Sequence, residues 1–363
     1  MSSKGRDADA GAGAAPAGTQ PYLIQFAQYH TEFRIPELES LSRVEQLVRR
    51  AILVKSIMAL WATSETCETL RQTLEAGPDR WAPFRHSRFK YDITPYGHTL
   101  TQRERVSLIE SFGFSNMLGP IDLKTPEIQI LMARTLTTGL CTGPPPPLPF
   151  LERVWYGRHV ANGARHRITH YELKRRRYIG TTSMDAELAL LMANQGLVRA
   201  GTMTLDPFAG TGSTLVGVAA QGGLVFGSDI DGRQMRGSTG PEGHRSIRSN
   251  MEQYHLSPLL GDLLVCDMAH HAWRRSHVRA GIWDAIVTDP PYGVRAGAKQ
   301  IGRDAVADRP MPAEGIHAFK PDGTPRYPDV RPYPLHAVMA DLVSFAAEML
   351  VDGGRLVYWL PAL

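Results

Sequence analysis

Three short stretches join acidic residues to turn-forming ones in a way that can do chemistry: "LDPFAGTGS" at Leu205 to Ser213, "GSDID" at Gly227 to Asp231, and "VTDPPYG" at Val287 to Gly293. In the third, an apolar run ends on Asp289 and is stopped by Pro290 and Pro291, because proline supplies no ladder N–H and fixes its own φ. The carboxylate is therefore displayed rigidly at a strand end, which in an open α/β sheet is where ligands bind. Asp289 and the main-chain carbonyl of Pro290 form an acceptor pair for the hydrogens of an exocyclic aromatic amine. Gripping those hydrogens orients a nitrogen lone pair, otherwise delocalised into the ring, toward an electrophile. Tyr292 can stack on the base, and the prolines leave little conformational freedom to lose.

The first stretch carries Asp206, Pro207 and Phe208 ahead of Gly210 and Gly212, which let the backbone turn tightly and approach a ligand, with free N–H groups at the helix start behind them. A lone G-x-G is a weak signal. The second stretch, however, places Asp229, followed by Ile230 and Asp231, where dinucleotide-type folds grip a ribose hydroxyl pair, with Asp231 the second choice. No G-x-x-x-x-G-K-[ST] occurs, and Asp206 would repel a pyrophosphate, so a nucleoside with a cationic or zwitterionic tail fits better. S-adenosyl-L-methionine has that form: its ammonium would meet Asp206, its ribose Asp229, and its adenine Asp267 at the end of "LLVCDM". Each aspartate alone could be a helix cap or a turn. Three in order on successive strand ends point to one ligand and to methyl transfer.

The elements that must hold these residues follow a clear alternation. After Thr142, "TGPPPPLP" reads as a linker, since proline runs pack neither as helix nor as central strand, and the domain boundary is placed there. Beyond it, strands around "TMTLDPF", "LVFGSDID", "DLLVCDM", "WDAIVTD" and "GRLVYWLP" alternate with helices such as "SMDAELALLMANQG", "GSTLVGVAAQG" and "LHAVMADLVSFAAEML". That pattern means βαβ units and a parallel sheet. The proline- and glycine-rich stretch from Tyr292 to Leu335 reads as a mobile lid over the site. Ahead of the boundary, apolar spacing predicts a helix over Val44 to Trp61, "FKYDIT" a strand, and Thr101 with Glu104 a capping box opening a helix.

At 363 residues, the chain has room for about two domains. Its first twenty residues lack the apolar core of a signal peptide, no apolar run is long enough to span a membrane, and the three cysteines show neither disulfide nor zinc spacing. A reducing, cytoplasmic location and no metal are expected. The net charge of +4 and pI near 9.0 favour a polyanionic partner. Arg165, Arg167, Lys174, Arg175, Arg176 and Arg177 cluster with Tyr171 and Tyr178, as either a solvated face or a phosphate-tracking patch.

The order "DPFAGTG", "GSDID", "VCD", "TDPPYG" resembles class I methyltransferases acting on amino groups, including DNA adenine-N6 and RNA guanine-N2 enzymes. With "RRAILVKSIMALWA", "HTLTQRERVSLIESFGF", "VWYGRHVANGAR" and "KRRRYIGTTSMDAELALLMAN", the chain after residue 20 is similar to the catalytic subunit of the tRNA guanosine-10 N2-methyltransferase family. The resemblance implies an α/β, class I (Rossmann-like) methyltransferase domain over residues 151–363, ending after the fifth strand where the family sheet has two more. It implies an α+β ferredoxin-like and THUMP tRNA-binding region over 21–150, shortened after "PELESL", behind a disordered tail over 1–20. It further implies that Thr182, Ser183, Met184 and Asp185 join the cofactor pocket, that tRNA is the substrate, and that a small zinc-binding activator subunit is a partner. Two other readings share the motifs: a DNA adenine-N6 methyltransferase and a noncatalytic tRNA-binding fragment.

Overall fold

The computed structural model describes residues 22–27, 30–40, 48–96, 99–115, 117–135, 153–240, 243–273, 281–292, 297–302 and 330–360. The expected N-terminal tail, the proline run and most of the expected lid lie outside the described residues. The chain divides into two compact units: one of the described residues up to 27 and from 54 to 163, the other of those from 30 to 53 and from 164 onward.

The first unit is a five-stranded sheet. Strands β1 (Tyr22–Phe26), β2 (Val54–Ser64), β3 (Phe89–Tyr96), β4 (Ile128–Thr135) and β5 (Arg153–Asn162) lie in the order β1-β2-β5-β4-β3. Only β3 and β4 run parallel; the other neighbours are antiparallel. Helix α1 (Arg34–Ser40) belongs to the second unit, while α2 (Cys67–Glu75) and α3 (Gln102–Glu110) belong to this one. Thr101 and Glu104 make the expected capping box at the start of α3. Trp61, Leu70, Ile130, Phe112 and Tyr156 form its core, the last two rings stacked with centroids 5.0 Å apart.

Two expectations are corrected here. The helix expected over Val44 to Trp61 is largely β2, and residues 44–47 lie outside the described residues. As a central strand buried on both faces, β2 lacks the period-two alternation of a half-buried strand, so its apolar spacing fits a helix as well. The boundary also moves from the proline run to Gly163, because β5 pairs with β2 and β4 and is part of the first sheet.

The second unit holds a parallel sheet of β6 (Met203–Asp206), β7 (Leu224–Asp229), β10 (Leu260–Val265), β11 (Trp283–Thr288) and β14 (Leu350–Tyr358). The spatial order β10-β7-β6-β11-β14 is 3-2-1-4-5 in chain order, the doubly wound arrangement of the expected class I fold. Short antiparallel pairs β8 (Ser238–Gly240) with β9 (Gly243–Arg245) and β12 (Lys299–Ile301) with β13 (Val330–Pro332) lie outside it. The helices are α4 (His166–Tyr171), α5 (Ala186–Gln195), α6 (Ser213–Ala220), α7 (Gly232–Arg236), α8 (Ile247–Gln253) and α9 (Leu335–Met349).

Apolar layers cover both faces of this sheet, which explains its continuous apolar strands. Ala285 and Val287 pack with Leu190, Leu215 and Met251, whereas Ile286 packs with Leu205, Leu342 and Phe345. Residues 30–53 complete the unit through a polar tie. Glu37 of α1 is fully buried, and its carboxylate accepts hydrogen bonds from Ile52 N at 2.7 Å, Leu53 N at 2.8 Å and the Asn194 amide of α5 at 3.0 Å.

Candidate active site

Reversal of strand order between β6 and β11 opens a crevice at the carboxyl ends of the strands, the place where doubly wound sheets bind ligands. A cleft of about 400 Å³ lies there, lined by the glycine loop after β6, the ends of β7 and β10, the Asp289 turn after β11, and residues 297–299. All three motifs read from the sequence therefore converge, although up to 86 residues separate their parts.

Asp206 closes β6 with a carboxylate that is 1% exposed. Its Oδ1 accepts from Phe208 N at 2.9 Å and from the Thr288 hydroxyl at 2.6 Å, and its Oδ2 from the Thr214 hydroxyl. Thr288 ends β11, so the bond ties together the two strands that flank the crevice. Burial pushes the Asp206 carboxyl up to about 7.

Asp229, at the end of β7, pins the glycine loop from the other side: Oδ2 accepts from Gly210 N at 2.8 Å and Oδ1 from Asp231 N at 2.8 Å. Burial raises its pKa as well. The loop takes the shape glycine permits, with φ of +50° at Gly210 and +83° at Gly212, and a Cβ at Gly212 would lie 3.0 Å from Ile247. Gly212 thus shapes the loop and starts α6 without lining the cleft.

Asp267 lines the cleft beyond β10 while its carboxylate works locally. It accepts from Ala269 N at 3.0 Å and Ile301 N at 2.8 Å, and pairs with His270 Nδ1 at 2.9 Å. Thr182, Ser183 and Met184 also line the cleft, and the Ser183 hydroxyl sits 2.7 Å from that of Thr211 in the glycine loop. Asp185 is elsewhere: its carboxylate caps α5 by accepting from Glu187 N at 2.7 Å.

Asp289, Pro290, Pro291 and Tyr292 line the cleft together. Oδ1 of Asp289 is buried and has no hydrogen-bond partner among the described residues. An acceptor withdrawn from water and left open in this way is costly unless a ligand fills it. Burial pushes its carboxyl up to about 6.

The basic cluster proves divided. Arg165 donates to Ile52 O at 2.8 Å and pairs with Glu187 at 3.2 Å; Arg167 donates to Gln221 Oε1 at 2.7 Å; Arg176, buried, donates to Tyr171 O at 3.2 Å and Ser213 Oγ at 3.0 Å. These three hold the second unit together. Only Lys174, Arg175 and Arg177 are exposed.

Sequence reasoning missed Thr288, Thr211, Gln234 and Lys299. The hydroxyl of Thr288, adjacent to Asp289, had a signal in its position; Lys299 had none, because its strand is three residues long. No group of His, Cys, Asp and Glu side chains fit to hold a metal occurs among the described residues, and no helix among them is long and apolar enough to cross a membrane.

A family model described as the Tmrp11 THUMP N-terminal domain matches residues 42–165, a span that covers β2 to β5 of the first unit. The chain is 34% identical over 381 residues to the human tRNA (guanine(10)-N(2))-methyltransferase TRMT11, covering 94% of this chain and 79% of that protein. It is 34% identical over 352 residues to the Saccharomyces cerevisiae tRNA (guanine(10)-N(2))-methyltransferase, covering 93% and 77%. Among solved structures, TrmN from Thermus thermophilus matches with a TM-score of 0.34 and 19% identity, over 67% of this chain and 64% of that one. Relatives at this identity, aligned along more than nine tenths of the chain, place it: the chain belongs to the tRNA (guanine(10)-N(2))-methyltransferase family.

Proposed function

We infer that this enzyme transfers a methyl group from S-adenosyl-L-methionine to the exocyclic N2 of a guanosine in tRNA, at position 10 as the relatives' names state. The observation that carries the reading is the buried Oδ1 of Asp289, without a hydrogen-bond partner among the described residues, next to two prolines in the cleft that the ordered aspartates also line.

The residues present fit that cofactor. Five aspartates line the cleft, which suits a cationic ligand, and Asp229 is fixed where a ribose would donate its hydroxyls. Thr182, Ser183 and the turn of Pro207, Phe208 and Gly210 would hold the methionine end, and Ile230 and Asp267 the adenine end. Asp206, with both oxygens already engaged, would act on the ammonium through its field. Bound there, the cofactor supplies an electrophilic methyl group on a sulfonium.

The chain's own part is positioning. Asp289 Oδ1 and the Pro290 carbonyl accept the two amine hydrogens, turning the nitrogen lone pair toward the cleft, and Tyr292 stacks on the base. After transfer the amine is cationic, and Asp289 is the nearest acceptor for the proton it loses. Within this reading the first unit and the exposed Lys174, Arg175 and Arg177 contact tRNA. The enzyme works in the cytoplasm with a small zinc-binding activator subunit.

The test compares unmodified tRNA with duplex DNA as acceptor, using labelled cofactor with and without the activator. Label in N2-methylguanosine is expected. Label in N6-methyladenine of DNA would transfer the assignment to the adenine class, and calorimetric cofactor binding with no transfer to either would leave a tRNA-binding protein.

A further inference from the structure

The cleft presents a charge problem to its own substrate. Asp206, Asp229, Asp231, Asp267 and Asp289 line it, and among the described lining residues Lys299 is the one cation. Asp231 is paired with Arg233 at 2.8 Å, which does not itself line the cleft; the remaining carboxylates favour a cationic cofactor, yet a nucleotide entering beside Asp289 brings a phosphate on either side of its ribose. Unless a local cation meets one of them, that polyanion approaches against a repulsive field.

Lys299 is exposed and forms no ion pair among the described residues. Its backbone, by contrast, is firmly held. It lies on β12, whose Ile301 N donates to the buried carboxylate of Asp267 at 2.8 Å. The strand is paired residue for residue with β13, Lys299 opposite Pro332. Tyr333 N then donates to Ala298 O at 2.9 Å, and the Tyr333 hydroxyl, on a ring buried in the core, donates to Asp341 at 2.7 Å. A cation on a paired strand, in the same cleft lining as the DPPY turn, loses less backbone freedom on binding than one on a free loop.

We propose that Lys299 is a positioning residue that binds a backbone phosphate flanking the target nucleotide, presented by a strand pair that Asp267 ties to the cleft through Ile301 N. The proposal rests on the tRNA methyltransferase reading above. Its competitor is the carboxylate of the cofactor, an anion of a different source. In the proposed reading that carboxylate lies with the methionine end beside Ser183 and Thr211, which bond one another at the glycine loop, whereas the strand of Lys299 is bonded to Asp267 through Ile301 N.

The test uses the full chain with its activator and unmodified tRNA, comparing wild type with Lys299→Ala and Lys299→Arg. For Lys299→Ala, KM for tRNA rises about tenfold and the slope of log affinity against log salt falls by about one. Calorimetric affinity for S-adenosyl-L-methionine stays within about twofold, and kcat at saturating tRNA changes less than KM; Lys299→Arg restores most of the loss. Melting temperatures equal to wild type confirm that both variants fold, as an exposed site implies. A loss of cofactor affinity with KM for tRNA unchanged assigns Lys299 to the cofactor and overturns the proposal, as does a variant with wild-type KM and salt slope. A wild-type protein that transfers no methyl to tRNA would instead overturn the functional reading itself.

Discussion

Asp289 and Asp206 are both carboxylates in one cleft, and their surroundings give them different tasks. Asp289 keeps a buried oxygen without a partner among the described residues; in the proposed reading that oxygen accepts from the reacting amine, and replacing the residue with alanine removes an oriented acceptor. Turnover is expected to fall about a hundredfold or more, with calorimetric cofactor affinity retained. Wild-type turnover in that variant would remove Asp289 from the mechanism. With the carboxylate as the proposed acceptor and burial pushing its pKa up to about 6, kcat/KM for tRNA should drop as pH falls below that value. Asp206 has its oxygens filled and titrates near 7, so it affects the cofactor through charge. Its anionic form attracts the cationic ligand; affinity should therefore rise with pH, about tenfold from pH 6 to pH 8. In Asp206→Asn that rise should flatten, as read by calorimetry across the range. An unchanged slope would mean the titrating group lies elsewhere.

At the scale of elements, the glycine loop is held in tension between two carboxylates. Asp229 takes the Gly210 amide while Asp206 takes Phe208 N and the Thr214 hydroxyl of α6. The left-handed turn at Gly212 is what lets β6 pass directly into α6 against Ile247. Gly212→Ala should cost about 1–3 kcal/mol in denaturant unfolding, since the added carbon meets both a disfavoured φ and a packed side chain. Cofactor affinity should weaken with it, although Gly212 does not itself line the cleft. The loop was legible because its constraint is local: glycines and an aspartate at fixed offsets make the same turn wherever they occur. Strand β2 was not, because a strand buried on both faces carries no alternation to distinguish it from a helix.

For the molecule as a whole, the informative residue is Glu37, far in sequence from the cleft. Its carboxylate satisfies two consecutive backbone amides and the Asn194 side chain, and Asn194 Oδ1 in turn accepts from Gln221 at 3.0 Å, which accepts from Arg167. One buried network thus fastens residues 30–53 to the helices that carry the second sheet. Glu37→Ala leaves Ile52 N and Leu53 N buried without acceptors, and thermal unfolding should show a loss of about 3 kcal/mol or more. A change under 1 kcal/mol would mean that water or a rearranged side chain replaces the carboxylate. The tie also explains why a boundary drawn at the proline run assigns this segment to the wrong unit.

Local geometry was readable from residue order alone. Prolines behind Asp289, glycines behind Asp206, an acidic residue closing the next strand and the capping box at Thr101 each act within a few residues, so their geometry follows from covalent and steric limits. The alternation of strands and helices likewise implied the doubly wound sheet. Tertiary structure decided everything that depends on which distant groups share a buried volume. It left Asp289 Oδ1 open while filling both oxygens of Asp206, turned Asp185 and three arginines to structural work, brought Lys299 to the cleft, and sent β5 to one unit and Glu37 to the other. Burial and partner choice set the free energy of a polar group, and neither is a property of the residue or its neighbours in sequence.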